Sequence, residues 1–247
     1  MIVLLDTNHP LDTCARELDC AVGQLLTPLT RFTLREPGRP WAIDNGAFSR
    51  FNATGFLSLL EREKHHQENC LFVAVPDVVG SARRTLEAFE RWKGRLSGWK
   101  LALVCQDGQE DLPIPWEDIA AVFIGGSTAW KCSPQSAACI KAAKALGKWA
   151  HVGRVNHASR FRHFEDLGAD SIDGSGLAQY SHMREAIAKR HYQGELYDMQ
   201  QLPEGNRGAA EDGPVLLGTL QAHGQRAAPD RQAAGRTTPA PSTGEAA

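Results

Sequence analysis

The stretch "AVFIGGSTAWKCSPQSAACIKAAKALGKWAHVG" (residues 121–153) decides the fold. It opens on a short apolar run, "AVFIG" (121–125), with no polar alternation, as expected of a strand buried on both faces. Helix signals follow: Ser133 can cap, Pro134 suits the first helical position, and Gly147 suits the close. A second apolar run, "WAHVG" (149–153), comes next. Two such strands joined through a helix form a βαβ unit, which requires parallel pairing and a right-handed crossover.

The same grammar runs along the chain. Candidate strands are "IVLL" (2–5), "GQLLT" (23–27), "WAID" (41–44), "LFVAV" (71–75), "LALVC" (101–105), the two above, and "DSID" (170–173). "SARRTLEAFERW" offers Ser81 as a cap with Ala82, Leu86 and Phe89 on one face, and "ASRFRHFEDLG" ends at Gly168. Eight strands alternating with helices predict a compact closed (β/α)8 barrel. An open doubly wound sheet is the alternative, but neither a G-x-G-x-x-G nor a Walker sequence is present to favour it.

The barrel is expected over residues 1–202. From Pro203 the chain turns to Ala, Gly, Pro and Thr, broken only by "PVLLGTL", so residues 203–247 read as a disordered tail with too little apolar surface to offset its ordering entropy. The whole chain of 247 residues is 42% hydrophobic and 23% charged, with a net charge of −2. No apolar run approaches a membrane span, and "MIVLLDTNHP" lacks a basic leader region, which predicts a cytoplasmic protein. Six scattered cysteines without a C-x-x-C pair argue against a disulfide framework or a structural zinc. The near-neutral charge excludes a globally basic nucleic-acid binder and leaves only a local patch.

In a (β/α)8 barrel the reactive face lies at the carboxyl ends of the strands. Six consecutive strands deliver polar or turn groups there: Asp44-Asn45-Gly46, Asp77, Gln106-Asp107-Gly108, Gly125-Gly126-Ser127-Thr128, Arg154 with Asn156, and Asp173. Singly, each reads as well as a turn former or helix cap. Jointly they predict a polar pocket.

With no G-x-S-x-G elbow and no Cys–His pair, the remaining chemistry is that of carboxylates, an amide and backbone N–H groups. Paired carboxylates suit glycosidic-bond chemistry, one as nucleophile and one as acid/base. The amide and a further carboxylate suit the hydrogen-bonding edge of a planar base.

The ordered motifs "IDNGAF", "VPDVV", "VCQDG", "FIGGST" and "LGADSIDG", over residues from about 40 to 176, resemble those of the tRNA-guanine transglycosylases and of the 7-deazaguanine DNA transglycosylases of phages and genomic islands. The resemblance implies a (β/α)8 enzyme that exchanges guanine in nucleic acid for a 7-deazaguanine through a covalent glycosyl–aspartate intermediate. It makes Asp173 the nucleophile, matching "GVDMFD", and Asp44 the proton-handling residue, matching "DSGGF". Asp77, Gln106 (as in "VQGG") and the backbone of Gly125-Gly126 would read the base. Asp170 matches the aspartate preceding the nucleophile and is its fallback.

Asn45 and Ala47 depart from the family's Ser and Gly. A disordered-looking tail replaces the zinc module of the tRNA enzymes, which favours DNA over tRNA as the partner. The implied small partners are free guanine and a 7-deazaguanine base, with no cofactor; the oligomeric state is left open.

Arg154 follows the seventh strand, a phosphate-binding corner in barrels, and Lys131 sits beside Trp130 as a second candidate nucleic-acid contact. Packing is an equal reading for Trp130, and Asp107 reads as a turn residue. Two other functions stay open: a base-releasing glycosidase using the same carboxylates, and a non-catalytic nucleotide or nucleic-acid binder.

Overall fold

The computed structural model describes residues 1–30 and 38–189. The expected tail, 203–247, lies outside the described residues. Eight parallel strands close into a barrel in sequence order: β1 (Ile2–Leu5), β2 (Val22–Leu26), β3 (Trp41–Ile43), β4 (Cys70–Ala74), β5 (Leu101–Cys105), β6 (Ala121–Ile124), β7 (Trp149–Val152) and β8 (Ser171–Asp173). β8 pairs back onto β1 through Ile2↔Ser171 and Leu4↔Asp173, which leaves no sheet edge unpaired.

The helices among the described residues are α1 (Leu11–Leu18), α2 (Ala53–Glu63), α3 (Ala82–Lys93), α4 (Thr128–Lys131), α5 (Pro134–Ala145), α6 (Ala158–Asp166), α7 (Ser175–Gln179) and α8 (Ser181–Ala188). Their ends follow the local chemistry. The Ser81 side chain accepts from Arg84 N–H at the start of α3, and that of Ser133 accepts from Ser136 N–H at the start of α5, with Pro134 at its first position. Gly147 and Gly168, at φ 66° and 79°, take up the left-handed backbone that ends α5 and α6. None of these helices is long and apolar enough to cross a membrane.

Side-chain alternation divides the strands between two cores. Val3, Leu5, Val122, Ile124, Val152 and Ile172 face outward into the layer shared with the helices, where Phe56, Phe89, Phe161 and Phe164 are fully buried. Burial of each such side chain contributes about 1.5–3 kcal/mol. Leu4, Leu25, Ala42, Phe72, Ala74, Ala102, Val104, Ala121 and Phe123 fill the lumen.

On β7 and β8 the buried positions of the lumen parity are polar instead: His151 and Ser171, both fully buried and directly opposite each other in register. The next inward position up each strand is the rim. The lumen parity therefore selects Asp44, Gln106, Gly125 and Asp173 as the residues that crown the barrel.

Candidate active site

The carboxyl ends of β3 to β8 surround a cleft of about 420 Å³, counted to its open mouth. Its walls hold Asp44, Asn45, Asp77, Gln106, Gly125, Arg154 and Asp173, with Val104 and Phe123 below and Phe48 and Val79 at the mouth. Asp44 and Asp173 also line a second cavity, toward β1 and β2, with Asp6, Thr27, Ser175 and Gln179. The two acids thus stand between two chambers.

Their surroundings differ. Burial pushes the Asp44 carboxyl up to about 7, the Asp173 and Asp77 charges add to the rise, and the Gly46 and Asn45 N–H groups oppose it. Asp173 is held differently: its Oδ2 lies 3.0 Å from His151 Nε2, and its Oδ1 accepts from the Arg154 backbone N–H at 3.1 Å. Asp44 is thereby suited to carry a proton near neutrality, while Asp173 has a nitrogen within hydrogen-bond distance of each of its oxygens.

The far end of the cleft is a hydrogen-bonded trio. Asn45 Nδ2 donates to Asp77 Oδ1 at 2.9 Å and to the Val75 carbonyl at 3.0 Å, while its own oxygen accepts from Ala47 N–H at 2.7 Å. Gln106 Nε2 donates to Asp77 Oδ2 at 2.7 Å, and its Oε1 accepts from Gly80 N–H at 3.0 Å. Burial raises the Asp77 carboxyl, offset by the donors on Asn45 and Gln106 and by the Arg154 charge. Asn45 is fully engaged as scaffold. Asp77 retains free lone pairs and Gln106 one free N–H, so the wall offers an acceptor beside a donor.

Arg154 spans the opening. Its backbone is left-handed, at φ 61°, and its guanidinium donates to the Gly125 carbonyl and, at 2.7 Å, to that of Gly126. The same guanidinium lies 4.1 Å from the ring centroid of Phe48, a side chain 62% exposed.

Three sequence expectations take a different form. The Gly125 and Gly126 N–H groups do not face the cleft: both donate to the Cys105 carbonyl, at 2.9 and 3.2 Å, so any backbone contact with a ligand there falls to the carbonyl side. Asp170 is at the opposite end of the barrel. It accepts from Ala150 N–H at 2.8 Å and meets Lys144 Nζ at 2.5 Å, because the residue that precedes a parallel strand lies at its amino end.

Lys131 is buried rather than presented to a polyanion. The short α4 turns it inward, where Nζ donates to the Gly153 carbonyl at 2.5 Å, and burial, with the nearby Arg154 charge, lowers it to about 8. The Gly174 and Gly176 positions serve packing: a Cβ on Gly174 would collide with the Val155 carbonyl and lie 2.5 Å from Asn156 Oδ1, and one on Gly176 would lie 2.5 Å from Met183 sulfur. Asp107 is the turn residue the sequence suggests, accepting from Ser127 N–H at 2.7 Å and Ser127 Oγ at 2.6 Å.

His151 was not among the sequence candidates. The signal was available: a histidine in the middle of an apolar strand, two residues below the rim and on the lumen parity. Among the described residues, no group of three or more His, Cys, Asp or Glu side chains is placed to hold a metal ion.

No protein-family profile matches the sequence. No curated protein matches it either. Among solved structures, the chain is similar to the Amycolatopsis orientalis BexX/CysO complex at 15% identity, covering 83% of this chain and 93% of that one with a TM-score of 0.47. It is also similar to phosphoribosyl anthranilate isomerase from Thermus thermophilus at 14% identity, covering 78% and 98% with a TM-score of 0.41. At these identities and scores the likenesses say nothing of activity.

Proposed function

We propose that the barrel is a base-exchange transglycosylase that replaces guanine in nucleic acid, DNA in preference to tRNA, with a 7-deazaguanine. One observation carries this reading: two carboxyls of unlike environment, Asp44 and Asp173, face a single cleft whose other wall presents an acceptor and a donor side by side on Asp77 and Gln106. A guanine edge is complementary to that wall, with N–H donors for Asp77 and a carbonyl for the Gln106 N–H.

The reaction balances with these groups alone. The Asp173 carboxylate attacks C1′, the glycosidic bond breaks with its electron pair moving to the base, and protonated Asp44 gives its proton to the departing guanine. A 7-deazaguanine then binds, Asp44 takes the N9 proton, N9 attacks C1′, and the Asp173 ester breaks to regenerate the carboxylate. Two displacements retain configuration at C1′. The target base leaves its stack to reach the cleft, at a cost of a few kcal/mol in a duplex. Phe48 and Arg154 at the mouth present a stacking face and a cation to the unstacked strand.

The test is incorporation of labelled guanine into DNA and tRNA, with a denaturing gel to trap the protein–nucleic acid ester. Exchange and adduct in the wild type, both lost in Asp173→Asn, support the reading. Undiminished exchange in Asp173→Asn overturns the nucleophile assignment, and base release without incorporation makes the protein a glycosidase.

A further inference from the structure

The lumen beneath Asp173 holds a hydrogen-bonded chain that the two proposed displacements do not use. Trp149 Nε1 lies 2.8 Å from Ser171 Oγ, Ser171 Oγ lies 2.8 Å from His151 Nδ1, and His151 Nε2 lies 3.0 Å from Asp173 Oδ2. Its inner members are sealed: His151 and Ser171 are fully buried, and the imidazole packs against Phe123 and Phe72 at centroid distances of 4.4 and 5.0 Å.

The polarity of the chain follows from its first member. An indole nitrogen can only donate, so Ser171 Oγ receives the Trp149 hydrogen. The Ser171 hydroxyl hydrogen is then satisfied inside this chain by donation to His151 Nδ1. With Nδ1 an acceptor, the imidazole proton resides on Nε2 and points at Asp173 Oδ2. The opposite tautomer would set two donor hydrogens, from Trp149 and His151, on Ser171 Oγ. It would also put an unprotonated Nε2 against a carboxylate and leave the hydroxyl hydrogen without an acceptor in the chain, which is unfavourable in a dry interior.

We propose that His151 is a positioning residue for Asp173, held as the Nε2–H tautomer by Trp149 and Ser171, and that it ties Oδ2 into the lumen so that Oδ1, which accepts from the Arg154 N–H on one lone pair, uses its other to bond to C1′. The catalytic consequence rests on the base-exchange reading; the tautomer and the tie do not. Through the cycle the His151 N–H stays on Oδ2, which is half of a carboxylate before attack and the carbonyl oxygen of the ester after it. When the ester breaks, negative charge returns to an oxygen that already has its donor, so the second displacement gains most. No proton changes hands on His151. It lines neither cavity that Asp173 lines, so its removal acts through Asp173 and not through binding of the base.

The first arm needs no substrate. Nitrogen NMR of the imidazole rings, with His151 assigned by the signal missing from His151→Gln, is expected to show Nε2 protonated and Nδ1 bare in the wild type. Ser171→Ala, which takes away the hydroxyl donor to Nδ1, is expected to shift the Nδ1 signal while Nε2 stays protonated against Asp173. A wild-type ring protonated on Nδ1 alone overturns the proposal, whatever the protein's activity.

The second arm reads exchange. His151→Leu is expected to lower kcat by about 100-fold, the typical loss for a donor aimed at developing charge, with KM for the incoming base unchanged. The trapped ester should accumulate in that variant. His151→Gln, which can return an N–H toward Oδ2, should recover a part of the rate that His151→Leu loses. Equal kcat in the wild type and a folded His151→Leu variant overturns the positioning role. If the wild type exchanges no base at all, the function reading falls while the first arm still decides the relay.

Discussion

Asp44 at the end of β3 and Asp173 at the end of β8 line the same two cavities, and the Asp173 charge is one of the forces that raise Asp44 to about 7. The larger force is burial, so the ionised Asp44 is destabilising in the folded state. A carboxyl whose folded pKa lies above its unfolded value lets the folded state hold the proton longer, and stability falls as pH rises between the two values. For Asp44 that window runs from about 4 to about 7. Asp44→Asn removes the ionisation and can keep the hydrogen bond from Gly46 N–H. The variant and the wild type should be equally stable near pH 4, diverge through the window, and differ by about 2–4 kcal/mol in favour of the variant above pH 7. Urea denaturation at pH 4, 6 and 8 measures this; a constant difference would contradict the assigned burial.

On the proposed base-exchange reading, the same proton sets the pH dependence of the reaction. Protonated Asp44 is the donor in the first displacement, so the rate should decline as pH rises through about 7, roughly tenfold for each further pH step once the acid is ionised. Asp44→Asn should abolish exchange while gaining stability. A rate profile that is flat from pH 6 to pH 9 would remove Asp44 from the proton-transfer step.

Much of this arrangement is legible in the chain because parallel strands buried on both faces are continuous apolar runs, and Gly, Asp and Ser punctuate them. All eight strands fall within one residue of the runs that suggest them. Asp44, Asp77, Gln106 and Asp173 come together because each follows the carboxyl end of a strand or closes it. What stayed hidden depended on tertiary direction. Asp170 and Asp173 are three positions apart, about 10 Å along a strand, which is enough to put them at opposite ends of a short one. Lys131 is turned inward by a single helical turn that "STAWK" does not announce. His151 lies inside β7 and below the rim, where a polar residue carries no turn or cap signature.

Arg154 joins three parts of the rim: its N–H holds Asp173, its guanidinium holds the Gly125 and Gly126 carbonyls, and its charge stacks on Phe48. Arg154→Lys retains the charge but loses the fork that reaches two carbonyls at once. We expect fold stability to change by less than about 1 kcal/mol and, on the proposed reading, exchange to fall by about 10-fold or more, since a displaced loop misaligns Asp173. Thermal unfolding and exchange assays on the same preparation separate the two effects. A parallel loss of both would mean that the clamp is structural.

Gly174 follows Asp173 and packs against the Val155 carbonyl, while Val155 N–H donates to the Asp173 carbonyl at 2.7 Å. The φ of Gly174 is −171°, which any residue can adopt, so its constraint is contact alone. Gly174→Ala must therefore push the loop after β7 away from the end of β8. The expected result is a loss of about 1–3 kcal/mol, as for overpacking elsewhere, together with loss of exchange because Asp173 moves with the loop. An unchanged melting temperature would show that the two loops separate freely.

Asp170→Ala supplies the contrast with Asp173 within one tetrapeptide. Its carboxylate accepts from Ala150 N–H and pairs with Lys144, which ties the starts of β7 and β8 to the end of α5. The pair is partly exposed, so its Coulomb attraction contributes little, and the hydrogen bond to Ala150 carries most of the effect. A loss of about 1–2 kcal/mol should follow, read as a fall in melting temperature of a few degrees for a domain of this size. Exchange below the melting transition should be that of the wild type, because the substitution lies at the far end of the barrel from the cleft. Were Asp170→Ala inactive while folded, and Asp173→Asn active, the assignment of the reactive face to the carboxyl ends of the strands would be reversed.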